Sequence, residues 1–393
     1  MIRWALPLAG VTALALAAGF RSSAPVTVVI GGNSSGVLSP CGCTAPMSGG
    51  IKRKAQYVRS LGPRAMYLES GAQIRGTARQ DVIKAETLSE AFASMGARAV
   101  AIGPTEFAAG AGLVLTMNNL SKGAVLSSDG TFGAPSGVRD LGELEVVVAG
   151  PADASLPPAT DKPRVILFDG GLSEAKSSAA AKSQPALIVF QSQGDPVEEP
   201  TVENGVTYVS PGDKGRMLIS LTLDGRTVGS FQRITLGPEV PDDPQVKRLY
   251  QTYLSRITTE DLLGKTLRTS NAAFVGSKAC ASCHGITYQK WKTTKHADAY
   301  HSIEAVGHGR DPDCVSCHVV GVTSTKGFLS RAKTPGLANV GCENCHGAGR
   351  NHAKNPKKFK LSKGGERTCL SCHTPENSPN FAFQEYWKRI QHR

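Results

Sequence analysis

Ten cysteines and nine histidines hold most of the chemistry available to this chain of 393 residues. Eight of the cysteines fall into one C-x-x-C-H pattern used four times. The copies are Cys280, Cys283 and His284; Cys314, Cys317 and His318; Cys342, Cys345 and His346; and Cys369, Cys372 and His373. C-x-x-C-H is the attachment pattern of c-type haem. Its two thiols add to the porphyrin vinyl groups as thioethers, and the imidazole that follows reaches the iron from the same side. A zinc site pairs C-x-x-C motifs but needs no histidine directly after every second cysteine. A disulfide framework has no use for that histidine at all. Four copies that consume every downstream cysteine predict four haem c groups, with the eight thiols as tethers and His284, His318, His346 and His373 as proximal ligands.

Spacing and charge point the same way. The motif histidines stand 34, 28 and 27 residues apart, too close for each haem to have a conventional domain. Stacked haems in a thin wrapping of chain are expected, with short helices, many turns, almost no sheet, and the porphyrins as the hydrophobic core. Six-coordinate iron needs a second protein ligand, and the histidines left over are His296, His301, His308, His352 and His392. The net charge is +12, and from Lys265 onward 20 Lys and Arg face 8 Asp and Glu, so the whole excess sits in the cysteine-rich third. Haem propionates brought into that segment call for a basic wrapping. Nucleic-acid binding would need interleaved aromatics or a binding motif; neither is present, and no nucleic-acid partner is expected.

The run from Phe274 through Cys280, Cys283, His284, Tyr288, Trp291, Thr294 and His296 resembles the tetrahaem cytochrome c-554 (cytochrome c-552/4) family. Asp311 to Gly321, Gly341 to His352, and Cys369 to His373 followed by Asn377, Phe383, Tyr386, Trp387, Ile390 and His392 fit the same family. The resemblance spans residues 271–393 and implies a mostly helical and irregular multihaem domain there. It also implies that His296, His352 and His392 are distal ligands. Three distal histidines for four irons leave one haem, that of His318, expected to be five-coordinate; closure of that site by His301 or His308 is the alternative.

Upstream the pattern changes. Apolar runs at Val26–Gly32, Arg64–Gly71, Arg98–Pro104, Glu143–Gly150, Arg164–Gly171 and Ala186–Asp195 alternate with helix-like stretches such as Thr87–Met95. Val206–Ser210, Met217–Leu223 and Thr227–Leu236 follow in hairpin-like succession. Apolar strands between helices predict an α/β domain with buried sheet over residues 25–240. The order of the runs resembles the metallophosphoesterase fold of exported 5′-nucleotidase-like proteins, an α/β sandwich. The catalytic positions depart from that family. Gly31 and Asn33 stand where it has Asp and His, Pro104 and Thr105 where it has Asn and His, and the first histidine in the chain is His284. A two-metal site needs several His and Asp ligands, so no hydrolase site is expected.

Residues 1–24 carry Arg3 and then an uncharged apolar run, the pattern of a secretory signal; an uncleaved membrane anchor is the alternative. A periplasmic or extracellular protein is therefore expected. Cys41 and Cys43 are expected to form a local disulfide, or else a redox-active or metal-binding pair. Lys52, Arg53 and Lys54 are expected at a solvated helix start. Over residues 241–270, Val246, Leu249, Tyr250, Tyr253, Leu254 and Ile257 predict an amphipathic linker helix. The expected function is electron transfer, with other cytochromes or quinol-linked complexes as partners. The alternatives are a redox enzyme acting on a nitrogen oxide or oxyanion at one open haem, and an N-terminal domain that binds a ligand or a membrane complex.

Overall fold

The computed structural model describes residues 25–40, 47–192, 194, 199–375 and 377–392. The signal-like segment and the Cys41 and Cys43 pair lie outside the described residues. No helix among the described residues is long and apolar enough to cross a membrane.

The first two thirds of the chain form two six-stranded sheets. The first contains β1 (Val26–Gly32), β2 (Met66–Ser70), β3 (Ala99–Ala101) and β4 (Val125–Leu126), running parallel, with the hairpin of β11 (Met217–Asp224) and β12 (Thr227–Thr235) added antiparallel beside β1. The second contains β5 (Val138–Asp140), β6 (Glu145–Ala149), β7 (Arg164–Phe168), β8 (Leu187–Val189), β9 (Thr201–Glu203) and β10 (Val206–Val209), in the order β5-β6-β7-β8-β10-β9. The sheets pack face to face. Val28 and Ile30 of β1, Leu68 of β2 and Ala101 of β3 share one core with Val146, Val148, Val165 and Leu167. Because side chains alternate along a strand, Val29 and Tyr67 point the other way, into a helix layer formed by α1 (Ile51–Ser60), α2 (Arg79–Ser94) and the linker helix Pro244–Thr259. Ile166, Ile188 and Tyr208 meet short helices over the second sheet in the same manner. The result is the expected α/β sandwich, helices outside and sheets within. Near-continuous apolar strands such as β7 are what burial on both faces requires.

α2 begins eight residues before the expected Thr87, with the Asp81 carboxylate accepting from the Ala78 backbone N–H at 3.2 Å. Its first turn is polar, so apolar periodicity did not mark it. The linker helix begins at Pro244 behind Asp243, whose Oδ1 accepts from Val246 N at 2.9 Å, an N-cap arrangement. It buries Val246, Tyr250, Tyr253 and Ile257.

Beyond it the chain forms short helices and turns, with isolated bridges such as Ser270 to Ser324 in place of sheet. One expectation is corrected there. Haems alone do not make the core of this segment: Leu263, Tyr300, Ile303, Val315, Val319, Val320, Phe328 and Leu337 pack into a cluster of their own. The intervals around the second motif are rich enough in branched and aromatic residues to bury themselves.

Candidate haem sites

In each motif a single turn presents the reactive groups together. Residues three and four apart share a helix face, so both thiols and the following imidazole of C-x-x-C-H converge on one side. The second motif lies in the helix Pro312–His318 and the third in Cys342–His346. In the first and fourth, the His284 and His373 backbone N–H groups each donate to the carbonyl of the leading cysteine at 2.9 Å. None of the eight motif cysteines is in a disulfide.

The histidines are brought together in pairs. His284 faces His352 with ring centroids 6.3 Å apart, His373 faces His296 at 6.2 Å, and His346 faces His392 at 5.8 Å. Two imidazoles bound through nitrogen to opposite faces of one iron, each bond roughly 2 Å, have centroids roughly 6 Å apart. The pairs therefore fit a shared iron. Second partners hold the rings. The Nδ1 atoms of His346, His352 and His392 lie 2.6, 2.7 and 3.0 Å from the carbonyls of Ser362, Phe359 and Ile390, and His373 Nδ1 is 2.9 Å from Ser378 Oγ. A proton engaged at Nδ1 leaves the Nε2 lone pair for a metal. Burial pushes His296 and His373 below the usual imidazole range, which favours the neutral, ligating form.

His318 differs. Its Nδ1 sits 2.5 Å from the Ala299 carbonyl, in the same manner as the others, but no imidazole among the described residues faces it. His301 is exposed, beside a polar cavity lined by Asp298, Arg331 and Asn339. His308 has both nitrogens engaged, Nε2 at 2.7 Å from Tyr250 Oη and Nδ1 at 2.9 Å from Asp311 Oδ2. The alternative in which His308 completes the last site is thereby corrected: a ring tied at both ends has no lone pair to offer. Candidate ligand atoms of His308, Asp311 and Cys314 do lie within 4.8 Å of one another, but Cys314 is a motif thiol and the imidazole is spent on hydrogen bonds.

The fold orders the motifs differently from the sequence. The Cys280 thiol lies close to that of Cys342, and the Cys317 thiol close to that of Cys372. The helix Cys342–His346 of motif three also contacts the helix Glu366–Leu370 of motif four. Motif one thus neighbours three, three neighbours four, and four neighbours two.

In the sandwich, the place where the phosphoesterase resemblance expects a metal site is filled by protein. The Lys54 ammonium, 1% exposed, pairs with the fully buried Glu69 carboxylate at 2.7 Å. Glu69 also accepts from Ser34 Oγ at 2.8 Å and from the Tyr67 hydroxyl. A Cβ on Gly31 would collide with Glu69 Oε2, so an aspartate has no room there. The expectation of a solvated Lys54 is corrected: with Ile51, Ala55 and Val58 it lies on the buried stripe of α1, and that spacing was the available signal. Glu106 is buried, and its carboxylate accepts backbone N–H groups of Gln73, Ile74 and Gly103. The cavity beside it, lined by Gly103, Asp169 and Gln191, measures about 10 Å³, room for about one water. A two-metal centre does not fit.

Residues 279–347 match the family model described as cytochrome c554 and c-prime. The chain is 35% identical over 145 residues to cytochrome c-554 of Nitrosomonas europaea, an alignment covering 28% of this chain and 62% of that protein. The chain thus spans about three fifths of the length of that curated relative. Among solved structures, it overlays a 5′-nucleotidase precursor from Thermus thermophilus with a TM-score of 0.46 and 17% identity over 65% of this chain and 63% of that one. The NAD nucleotidase of Haemophilus influenzae overlays with a TM-score of 0.45 and 13% identity, over 64% of each chain. The C-terminal part of the chain is therefore similar to the cytochrome c554 family over residues 279–347, and it follows an α/β sandwich.

Proposed function

We propose that this chain is an exported electron carrier holding four haem c groups, one at each C-x-x-C-H motif. The observation that supports this most strongly is the three imidazole pairs, each joining a motif histidine to His296, His352 or His392 at a separation suited to one iron. When bound, the haems supply reversible one-electron chemistry between ferric and ferrous iron. The chain's own residues do the rest. Cys280, Cys283, Cys314, Cys317, Cys342, Cys345, Cys369 and Cys372 fix orientation through two bonds per site. Hydrogen bonds at Nδ1 hold the rings in one tautomer and one plane. Imidazoles on both sides of an iron need little rearrangement when its charge changes. The contacts between motifs favour a path running one, three, four, two.

Covalent haem attachment outside the cytoplasm and the signal-like start favour a periplasmic or extracellular location, with membrane association through the N-terminus as a further element. Other cytochromes or quinol-linked complexes are the partners proposed, and the sandwich serves to position or dock them. Protein-film voltammetry of the matured protein tests the reading. Reversible waves summing to four electrons per chain are expected from four motifs. A chain that exchanges no electrons reversibly would exclude it.

A second reading has its own observation. His318 lacks a facing imidazole among the described residues, so its haem is the one open to a small nitrogen oxide or oxyanion. Substrate-dependent reoxidation of the reduced protein, lost when that iron is blocked by cyanide, is the expected result if the open site does chemistry.

A further inference from the structure

Between the third and fourth motifs, residues 354–363 carry Lys354, Lys357, Lys358, Lys360 and Lys363. All five are exposed. Among the described residues, none of them forms a salt bridge with a carboxylate. The same loop touches two sites through its backbone: the Phe359 carbonyl lies 2.7 Å from Nδ1 of His352, which faces His284, and the Ser362 carbonyl lies 2.6 Å from Nδ1 of His346. Lys357, Lys358, Lys360 and Lys363 therefore stand one or two residues from the backing of motifs one and three. Phe359, 40% exposed, offers an apolar contact in their midst.

The opposite end of the motif series is covered. The helix of motif two carries Asp313, which pairs with Lys84 of α2, and Asp311, whose Oδ1 accepts from Gln80 of α2 at 2.8 Å. The sandwich therefore closes the motif-two end and leaves the lysine loop as the accessible one. Residues before Lys265 have no net charge, so a charged partner is drawn to the loop rather than to the sandwich.

We infer that the loop of residues 354–363 is the docking surface for an acidic redox protein, which exchanges electrons with the haems of motifs one and three. This deepens the electron-carrier reading and rests on it. Electron-transfer complexes are small and transient, and complementary charge gives them encounter rate and orientation more than lasting affinity. One electron passes from the reduced partner to a ferric haem, or from a ferrous haem to an oxidised partner, with no bond made or broken.

The test uses the matured, fully oxidised protein and oxidised plant-type ferredoxin as the acidic probe, so that binding is read without turnover. Lys357, Lys358, Lys360 and Lys363 are changed together to Glu, and in a second variant to Gln, in case charge reversal impairs maturation. A control reverses Lys122, Lys182, Arg226 and Lys247, which lie on the sandwich and the linker helix, giving the same net charge elsewhere. Calorimetry at low ionic strength is expected to show the Glu variant binding at least about tenfold more weakly, the scale of electrostatic steering. The Gln variant should fall between it and the native chain, the control should be nearly unchanged, and native binding should weaken with added salt. Equal losses in the loop variant and the control would overturn the inference, because net charge alone would then suffice. Unchanged binding with shifted haem potentials would also overturn it, assigning the lysines to the propionates. Voltammetry on the same samples separates the two levels: haems that do not cycle reversibly sink the carrier reading, whereas reversible haems with unaltered binding sink only the docking surface.

Discussion

A lysine on the inner stripe of an amphipathic helix is costly to bury unless a carboxylate meets it, and Lys54 has Glu69, Ser34 and Gly31 arranged around it. Tyr67 completes the cluster; burial and the neighbouring Glu69 charge push its phenol well above the usual range, so it remains a donor. Breaking one side of such a pair strands the other charge. Lys54→Met is expected to lose about 3–5 kcal/mol in chemical denaturation, and the double variant with Glu69→Gln to recover much of it. Equal losses in the two would mean that the lysine acts through packing. At the haem sites the informative contrast is His352 against His301. His352→Ala should leave His284 without its facing ring and convert about one haem in four to a high-spin, carbon monoxide-binding form. His301→Ala should leave the spectrum unchanged, because His301 is exposed and paired with no motif histidine. Matching spectra for the two variants would break the assignment.

The linker helix is the element that joins the two parts. Its apolar stripe was legible from Val246, Tyr250, Tyr253 and Ile257, but what it covers was not. The sequence does not reveal that Tyr250 reaches His308 or that Gln80 of α2 donates to both the Tyr253 hydroxyl, at 2.9 Å, and Asp311 Oδ1. Gln80→Leu removes both bonds from a nearly buried site and is expected to cost about 1–3 kcal/mol. Amide exchange should accelerate in the helix Pro312–His318 while β6 and β7 keep their protection. Uniform acceleration, or none, would show that Gln80 does not hold the motif-two helix. The strands were read readily because burial on both faces leaves unbroken apolar runs. α1 was read only as a start, since Lys52, Arg53 and Lys54 masked it, and the polar first turn of α2 concealed its beginning. The motif thiols and imidazoles were visible at once from C-x-x-C-H. The family resemblance implied His296, His352 and His392 as distal ligands, but which motif histidine each one faces depends on tertiary contacts and was not legible. The neighbouring of motif one with three, and of two with four, had no signal in the linear order.

The whole molecule combines an α/β sandwich, whose described residues leave no room for a two-metal centre, with a motif-bearing segment clamped to its helix layer. With Gly31 filled against Glu69 and the remaining void about 10 Å³, phosphate monoester or diester hydrolysis in the presence of manganese or zinc should not rise above the background of metal alone. Turnover that follows the protein concentration would show that a metal centre assembles after all. The most direct test of the tetrahaem arrangement is the visible spectrum of the reduced, matured protein before and after carbon monoxide, with haem counted by its pyridine complex. Four haems per chain, about one in four shifted by the gas, is the expected result, from three faced histidines and one unfaced. Fewer haems than motifs, or a shift corresponding to two or more of them, would contradict the paired-imidazole arrangement.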